Sequence, residues 1–225
     1  MLSERRLNMV GKALSKKRAV RADATARDQL LEAVGALMAE RESIDFSLSD
    51  VAKKSGLNAG LVRYYFGNKA GMMMAYVQEV VGSAVTQVEQ LANMPVGAKE
   101  KLRIHIYGAV SNYYKHPYIN ILLQYMMKES NGEYKNTIMN DIIKRLVFAE
   151  QKILEDGQAE GVFKVVDPLL FYFYIFGACE AIFRSRDTVK YFLDADDVNE
   201  DIKQKYTKQL CDLVMNGLGC VDKRG

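Results

Sequence analysis

In the stretch SGLNAGLVRYYFGNKAG, residues 55 to 71, an arginine, two adjacent tyrosines and a lysine follow closely on one another: Arg63, Tyr64, Tyr65 and Lys69. A guanidinium is the commonest bidentate partner of guanine O6 and N7, while phenol and ammonium groups suit phosphate oxygens. Ala59 and Gly60, just ahead, are small enough to let a backbone approach a duplex closely. Covalent chemistry has much thinner support. The chain has two histidines, and no nucleophile-base-acid set at a strand-turn-helix, no phosphate-cradling glycine loop and no HExxH run accompanies them. Cys179, Cys211 and Cys220 are too widely spaced for a metal site or a disulfide framework. No catalysis, no cofactor and no metal are therefore expected.

Positioning those side chains requires short helices, and the start signals for them are present. Thr25 with Asp28 resembles a capping box ahead of Leu30, Leu31, Val34, Leu37 and Met38, whose spacing predicts a first helix from about 25 to 40. Ser47 with Asp50 opens a second, roughly 48 to 54, with Leu48, Val51 and Ala52 inward. Gly56 ends it, Asn58 caps a third over about 59 to 65, and Asn68 caps a fourth. Three short helices around a tight glycine turn make a helix-turn-helix unit, in which the later helix enters the major groove and its partner crosses the phosphates. With Leu57, Val62 and Phe66 as the inner face, Tyr64 is expected to lean toward the neighbouring helices, and Arg63 and Tyr65 to face outward. Each residue alone has a plainer explanation, packing for a tyrosine and solubility for a surface arginine or lysine. Their company is what points to nucleic acid.

Charge agrees. The net charge of the 225 residues is +3, but residues 1 to 69 hold 13 Lys/Arg against 8 Asp/Glu. Before residue 28, Arg5, Arg6, Lys12, Lys16, Lys17, Arg18, Arg21 and Arg27 face only Glu4 and Asp23. Such an arm is either a solvated tail or a partner for a polyanion. The longest oily run, residues 168 to 183, is interrupted by Glu180 and falls short of the roughly 18 residues that span a bilayer, so no membrane is expected. Sparse cysteines and a basic N-terminus without an apolar secretion segment predict a cytoplasmic chain.

Residues 46 to 77, FSLSDVAKKSGLNAGLVRYYFGNKAGMMMAYV, resemble the DNA-binding domain of the TetR family of bacterial transcriptional regulators. Ser47, Ala52, Gly56, Leu57, Gly60, Tyr64, Phe66 and Lys69 occupy that pattern's places, and the match runs over roughly residues 25 to 77. The resemblance implies an all-α homodimer of about nine helices: a basic extension (1–24), a helix-turn-helix reader (25–70) and a ligand-binding and dimerisation domain (71–225). It implies a ligand-responsive regulator, a repressor, that binds a palindromic double-stranded operator and is released by a small, largely apolar effector. Its phosphate contacts fall on Ser47, Tyr65 and Lys69, and its base-reading positions on Ala59, Gly60, Leu61 and Arg63. Two positions depart. Leu61 replaces a frequent threonine, and Arg63 a frequent tyrosine, which turns that place toward guanine readout. Lys16, Lys17, Arg18 and Arg21 are expected to follow the duplex. A helical ligand-binding module without DNA is the rival reading. It predicts that Arg63→Ala, Tyr65→Ala and Lys69→Ala leave every binding property intact.

Beyond the reader, periodicity predicts helices over about 72–91, 98–115, 118–128, 134–157, 168–186 and 196–217, with no strand pattern. The penultimate helix carries Phe171, Tyr174, Cys179 and Phe183, and the last Ile202, Tyr206, Leu210, Leu213 and Val214; the resemblance implies that these two pair with their symmetry mates. Tyr125, Tyr172 and Phe176 are either ordinary core or the wall of an effector pocket. His105 is either a satisfied structural histidine or a ligand contact. Glu180, inside the oiliest helix, is either a hydrogen-bond acceptor in the core or interface or a specificity group.

Overall fold

The computed structural model describes residues 25–129, 132–193 and 195–219. Among them are ten helices and no strand, the all-α fold that the periodicity predicts. The chain divides into two compact units between Tyr76 and Val77.

The first unit is built by caps that the sequence announces. Helix α1 (25–41) turns Leu30, Leu31, Val34, Leu37 and Met38 into the core. Helix α2 (Leu48–Ser55) starts on a complete capping box: the Asp50 N–H donates to Ser47 Oγ at 3.1 Å and the Ser47 N–H to Asp50 Oδ2 at 2.7 Å. Arg41 grips the same carboxylate at 2.9 Å and, with Ser47, holds it well below the usual carboxylate range. Gly56 closes α2 with φ at 72°, a left-handed conformation that glycine adopts without a Cβ clash. Asn58 Oδ1 then accepts from the Gly60 N–H at 2.7 Å and starts α3 (Ala59–Phe66). Asn68 Oδ1 does the same for the Gly71 N–H at 2.8 Å at the head of the next helix.

That helix, α4, is α-helical over Lys69–Val77, π-helical over Gln78–Gly82 and α-helical again over Ser83–Ala92, and the boundary between the units falls within it. Gly71 in its first turn has a steric reason. A Cβ there would drive into the carbonyl oxygen of Phe66, part of the backbone leaving α3. Helix propensity alone favours alanine at this place by about 1 kcal/mol. The clash reverses the sign, so Gly71→Ala is expected to destabilise the protein by about 1–3 kcal/mol in urea denaturation.

The second unit holds the end of α4, α5 (Ala98–Lys115), α6 (Ile119–Glu129), α7 (Lys135–Thr137, a π segment Ile138–Ile143, then Lys144–Ala159), α8 (Pro168–Arg184), α9 (Arg186–Leu193) and α10 (Glu200–Leu218). Helix α5 is central and packs on α4, α7, α8 and α10 through Leu102, Ile106 and Val110. The buried ammonium of Lys101 joins three helix ends, donating to the Ala92 carbonyl at 2.8 Å and to Asp156 at 2.7 Å. Asp167 caps α8 through the Leu169 and Leu170 N–H groups with Pro168 in the first turn, as expected of Asp-Pro.

Two expectations are corrected. The oily helix stops at Arg184, and α9 stands apart as a short helix after Ser185, anchored by buried Val189. Phe171, Cys179, Phe183 and Leu210 are not on an outer face but belong to the intrachain core, because they lie on the side of α8 and α10 that meets α5. The exposed apolar stripe on α8 is Leu170, Phe173 and Tyr174, continued by Gly177 and Ala181 at helical spacing, and on α10 it centres on Leu213 and Gly217.

Candidate DNA-reading face and effector-binding core

Helix α3 has its inner side set by Val62, which is fully buried. At about 100° per residue, Tyr65 and Phe66 lie three and four places on, over the same side, and both are half-buried. Tyr64 falls opposite and is 75% exposed. The two tyrosines therefore take the reverse of the expected roles: Tyr65 leans inward, packed edge-on to Tyr64 at 5.1 Å and beside Phe66 at 6.0 Å between ring centres, and Tyr64 faces outward. Ala59, Gly60 and Arg63 share the exposed side with it, and Leu61 is half-buried.

The phosphate candidates are held differently. Ser47 lies at the start of α2 with its hydroxyl committed to the cap, accepting from the Asp50 N–H and donating to Asp50 Oδ2 at 2.8 Å. Lys69 opens α4 with Nζ over the Phe46 ring at 5.2 Å and 3.8 Å from Asp45 Oδ1. Its ammonium is thus aligned by an aromatic face while remaining partly solvated. Arg27 similarly lies over Phe66 at 5.9 Å. Lys16, Lys17, Arg18 and Arg21 lie outside the described residues.

In the second unit, Tyr172, Phe176 and Glu180 follow one another at four-residue steps along α8, while His105 lies on α5 and Tyr125 on α6. His105 on α5 is buried with its Nε2 2.7 Å from Oε1 of Glu150 on α7, which makes it a satisfied core histidine. Tyr172 is buried on α8, its ring 5.4 Å from that of Phe176, and Tyr113 of α5 meets Phe176 edge-on at 6.0 Å. Tyr113 also donates from its hydroxyl to Asn120 Oδ1 at 3.3 Å. Burial, and secondarily the charge of Glu150, pushes the Tyr172 phenol up to about 12, so it remains a hydrogen-bond donor at neutral pH. The same two causes raise the Cys179 thiol to about 12, leaving it an unreactive apolar group. Glu180 is half-buried and paired with Arg184 one turn on at 2.9 Å. Tyr125 on α6 is exposed.

Glu150 and Asn120 escaped the reading of the sequence, although a signal existed. Glu150 extends the buried stripe Ile153, Leu154 and Gly157 backward by one helical step, and Asn120 sits beside Ile119 ahead of Leu122 and Leu123. Among the described residues no group of three His, Cys, Asp or Glu could hold a metal, and no helix is long and apolar enough to cross a membrane.

The chain matches the family model described as "Tetracyclin repressor-like, C-terminal domain" over residues 95–223. It is 28% identical over 136 residues to the fatty acid metabolism regulator protein of Bacillus subtilis, covering 60% of this chain and 70% of that one. With the HTH-type transcriptional repressor NicS of Pseudomonas putida it shares 23% identity over 206 residues, 89% of this chain and 95% of the other. Its fold resembles the transcriptional regulator FadR from Bacillus subtilis solved in complex with stearoyl-CoA, with a TM-score of 0.62, 24% identity, and coverage of 84% of this chain and 98% of that one.

Proposed function

The chain belongs to the TetR family of transcriptional regulators, proteins that are not enzymes, and from that premise we propose that it is a repressor that binds a palindromic operator as a homodimer and leaves it when an apolar effector binds. The observation that carries this reading is the outward side of α3. Gly60, Arg63 and Tyr64 stand there together on a short helix entered through a left-handed glycine turn, with Lys69 at the start of the next helix. Gly60 gives close approach, Arg63 reads guanine, and Tyr64 and Lys69 hold phosphates. Tyr64 thus joins Tyr65 as a phosphate candidate, with the greater exposure in its favour.

The dimer forms through the exposed stripes of α8 and α10, where Leu170, Phe173 and Tyr174 lie beside the small residues Gly177 and Ala181 that let helices approach. A twofold pair presents two α3 helices to half-sites about one helical turn apart. An apolar effector fits the aromatic wall of Tyr113, Tyr172 and Phe176, and the stearoyl-CoA carried by the Bacillus subtilis FadR structure is of that character. Effector binding displaces α4, and the two α3 helices then cease to match successive grooves. Typical coupling of this kind is about 1–3 kcal/mol, and operator DNA must weaken effector binding by the same factor. The protein acts in the cytoplasm, where the chromosome is within reach.

The test is fluorescence anisotropy with the duplex from the protein's own upstream region at low ionic strength; absence of binding there ends the reading. A second measurement addresses the basic arm. Deleting residues 1–22 is expected to flatten the plot of log affinity against log salt by about 0.9 for each phosphate that the arm neutralises. An unchanged slope would show that the arm leaves DNA alone.

A further inference from the structure

Two polar atoms inside the second unit have no hydrogen-bond partner among the described residues: Oε2 of Glu150 and Nδ2 of Asn120. Glu150 is 2% exposed and Asn120 1%. Groups so deeply buried are nearly always partnered, because an unmet one forfeits its hydration with no return. Their chemistry is complementary. The carboxylate oxygen only accepts, and the amide nitrogen only donates.

Each is held by its other atom. Glu150 Oε1 lies 2.7 Å from His105 Nε2, and Asn120 Oδ1 accepts from the Tyr113 hydroxyl at 3.3 Å. Tyr113 and Tyr172 flank the Phe176 ring, at 6.0 and 5.4 Å between centres, so the polar atoms adjoin an aromatic wall on α5 and α8. A ligand lying along that wall brings an apolar body to the rings and its polar section to Asn120 and Glu150.

We propose that Glu150 and Asn120 select the effector by its polar section, which is uncharged and amide-bearing: a carbonyl oxygen accepts from Asn120 Nδ2 and an N–H donates to Glu150 Oε2. This rests on the effector-binding reading above and adds the ligand class to it. A simple fatty amide carries the two complementary groups on one carbon, and an acyl-CoA carries them separated by the thioester sulfur and two methylenes, so the two probes differ in the span they cover between Asn120 Nδ2 and Glu150 Oε2. A free fatty acid lacks one of the two. Its carboxylate offers only acceptors, so it meets Asn120 Nδ2 but brings no donor to Glu150 Oε2.

The experiment is calorimetric titration of the full-length protein with decanamide, decanoyl-CoA and decanoate. Decanamide or decanoyl-CoA is expected to bind at least about tenfold more tightly than decanoate, the value of one hydrogen bond to a charged group. Whichever of the two binds identifies the source of the amide. Glu150→Gln, which adds a donor, is expected to bring decanoate to within about threefold of the amide. Asn120→Leu weakens the amide about tenfold, and decanoate with it because a carboxylate oxygen accepts from the same Nδ2, and circular dichroism establishes that both variants are folded. Decanoate binding as tightly as the amides, no probe binding, an amide affinity untouched in a folded Asn120→Leu protein, or a preference untouched in a folded Glu150→Gln protein overturns the proposal. Titration of the same wild-type preparation with the upstream duplex separates the two failures: retained DNA binding means that only the ligand class was wrong.

Discussion

Arg63→Ala is expected to reduce affinity for the operator duplex by roughly thirtyfold to twenty-thousandfold. One bidentate arginine-guanine contact discriminates by about 1–3 kcal/mol, and a twofold dimer makes it twice, so the loss is about 2–6 kcal/mol. The geometry makes the change clean. Arg63 is on the exposed side of α3, away from buried Val62, and its removal leaves no cavity in the first unit. Anisotropy on the operator and on duplexes with each guanine replaced locates the base it reads. Loss of selectivity at one position in each half-site identifies readout, whereas an equal loss on every sequence would identify a phosphate contact and remove Arg63 from the reading set. Tyr65 behaves differently because it is half-buried among Tyr64 and Phe66, so its truncation perturbs the reader's own packing.

His105→Leu is expected to destabilise the protein by about 3–5 kcal/mol, the usual cost of stripping a buried charged or polar pair of one partner. Glu150 would then keep a buried side chain with neither oxygen bonded among the described residues. The double variant His105→Leu with Glu150→Leu is expected to recover most of the loss, since apolar replacements of similar volume fill such a site without leaving a polar group unmet. Urea denaturation of the four proteins in the cycle measures the coupling. A single variant as stable as wild type would show that solvent reaches Glu150 and that the pair is not sealed. The Arg184–Glu180 pair offers the contrast: its arginine is well exposed, and exposed pairs of this kind contribute at most about 1 kcal/mol.

Much of the fold was legible because its signals are answered within one turn. Ser47 with Asp50, Asn58, Asn68 and Asp167 each satisfy backbone donors no more than three residues away, so helix starts could be read without knowing what the helices touch. The faces of α3 were misread for a related reason. Leu57 precedes the helix, so its direction is not on the helix's 100° ladder, and using it to define the inner side exchanged Tyr64 and Tyr65. Val62 alone places them correctly. Helix α9 was missed, with only Arg186 counted into its neighbour, because its eight residues carry too short a periodic stretch to read apart from the apolar run before Ser185.

The sequence by itself determined the helical class, the capped reader, the outward Arg63 and the family. Tertiary structure alone decided which side of α8 and α10 meets α5, and which polar groups lie inside. His105 and Glu150 are 45 residues apart, and nothing local to either names the other. Gly71 shows the same limit, since its need for no side chain comes from the carbonyl of Phe66 in the preceding helix. A cap is settled by hydrogen bonds within a turn of chain. A buried pair or a close approach is settled only when packing brings distant segments together, because its energy depends on burial that no short stretch of residues can supply.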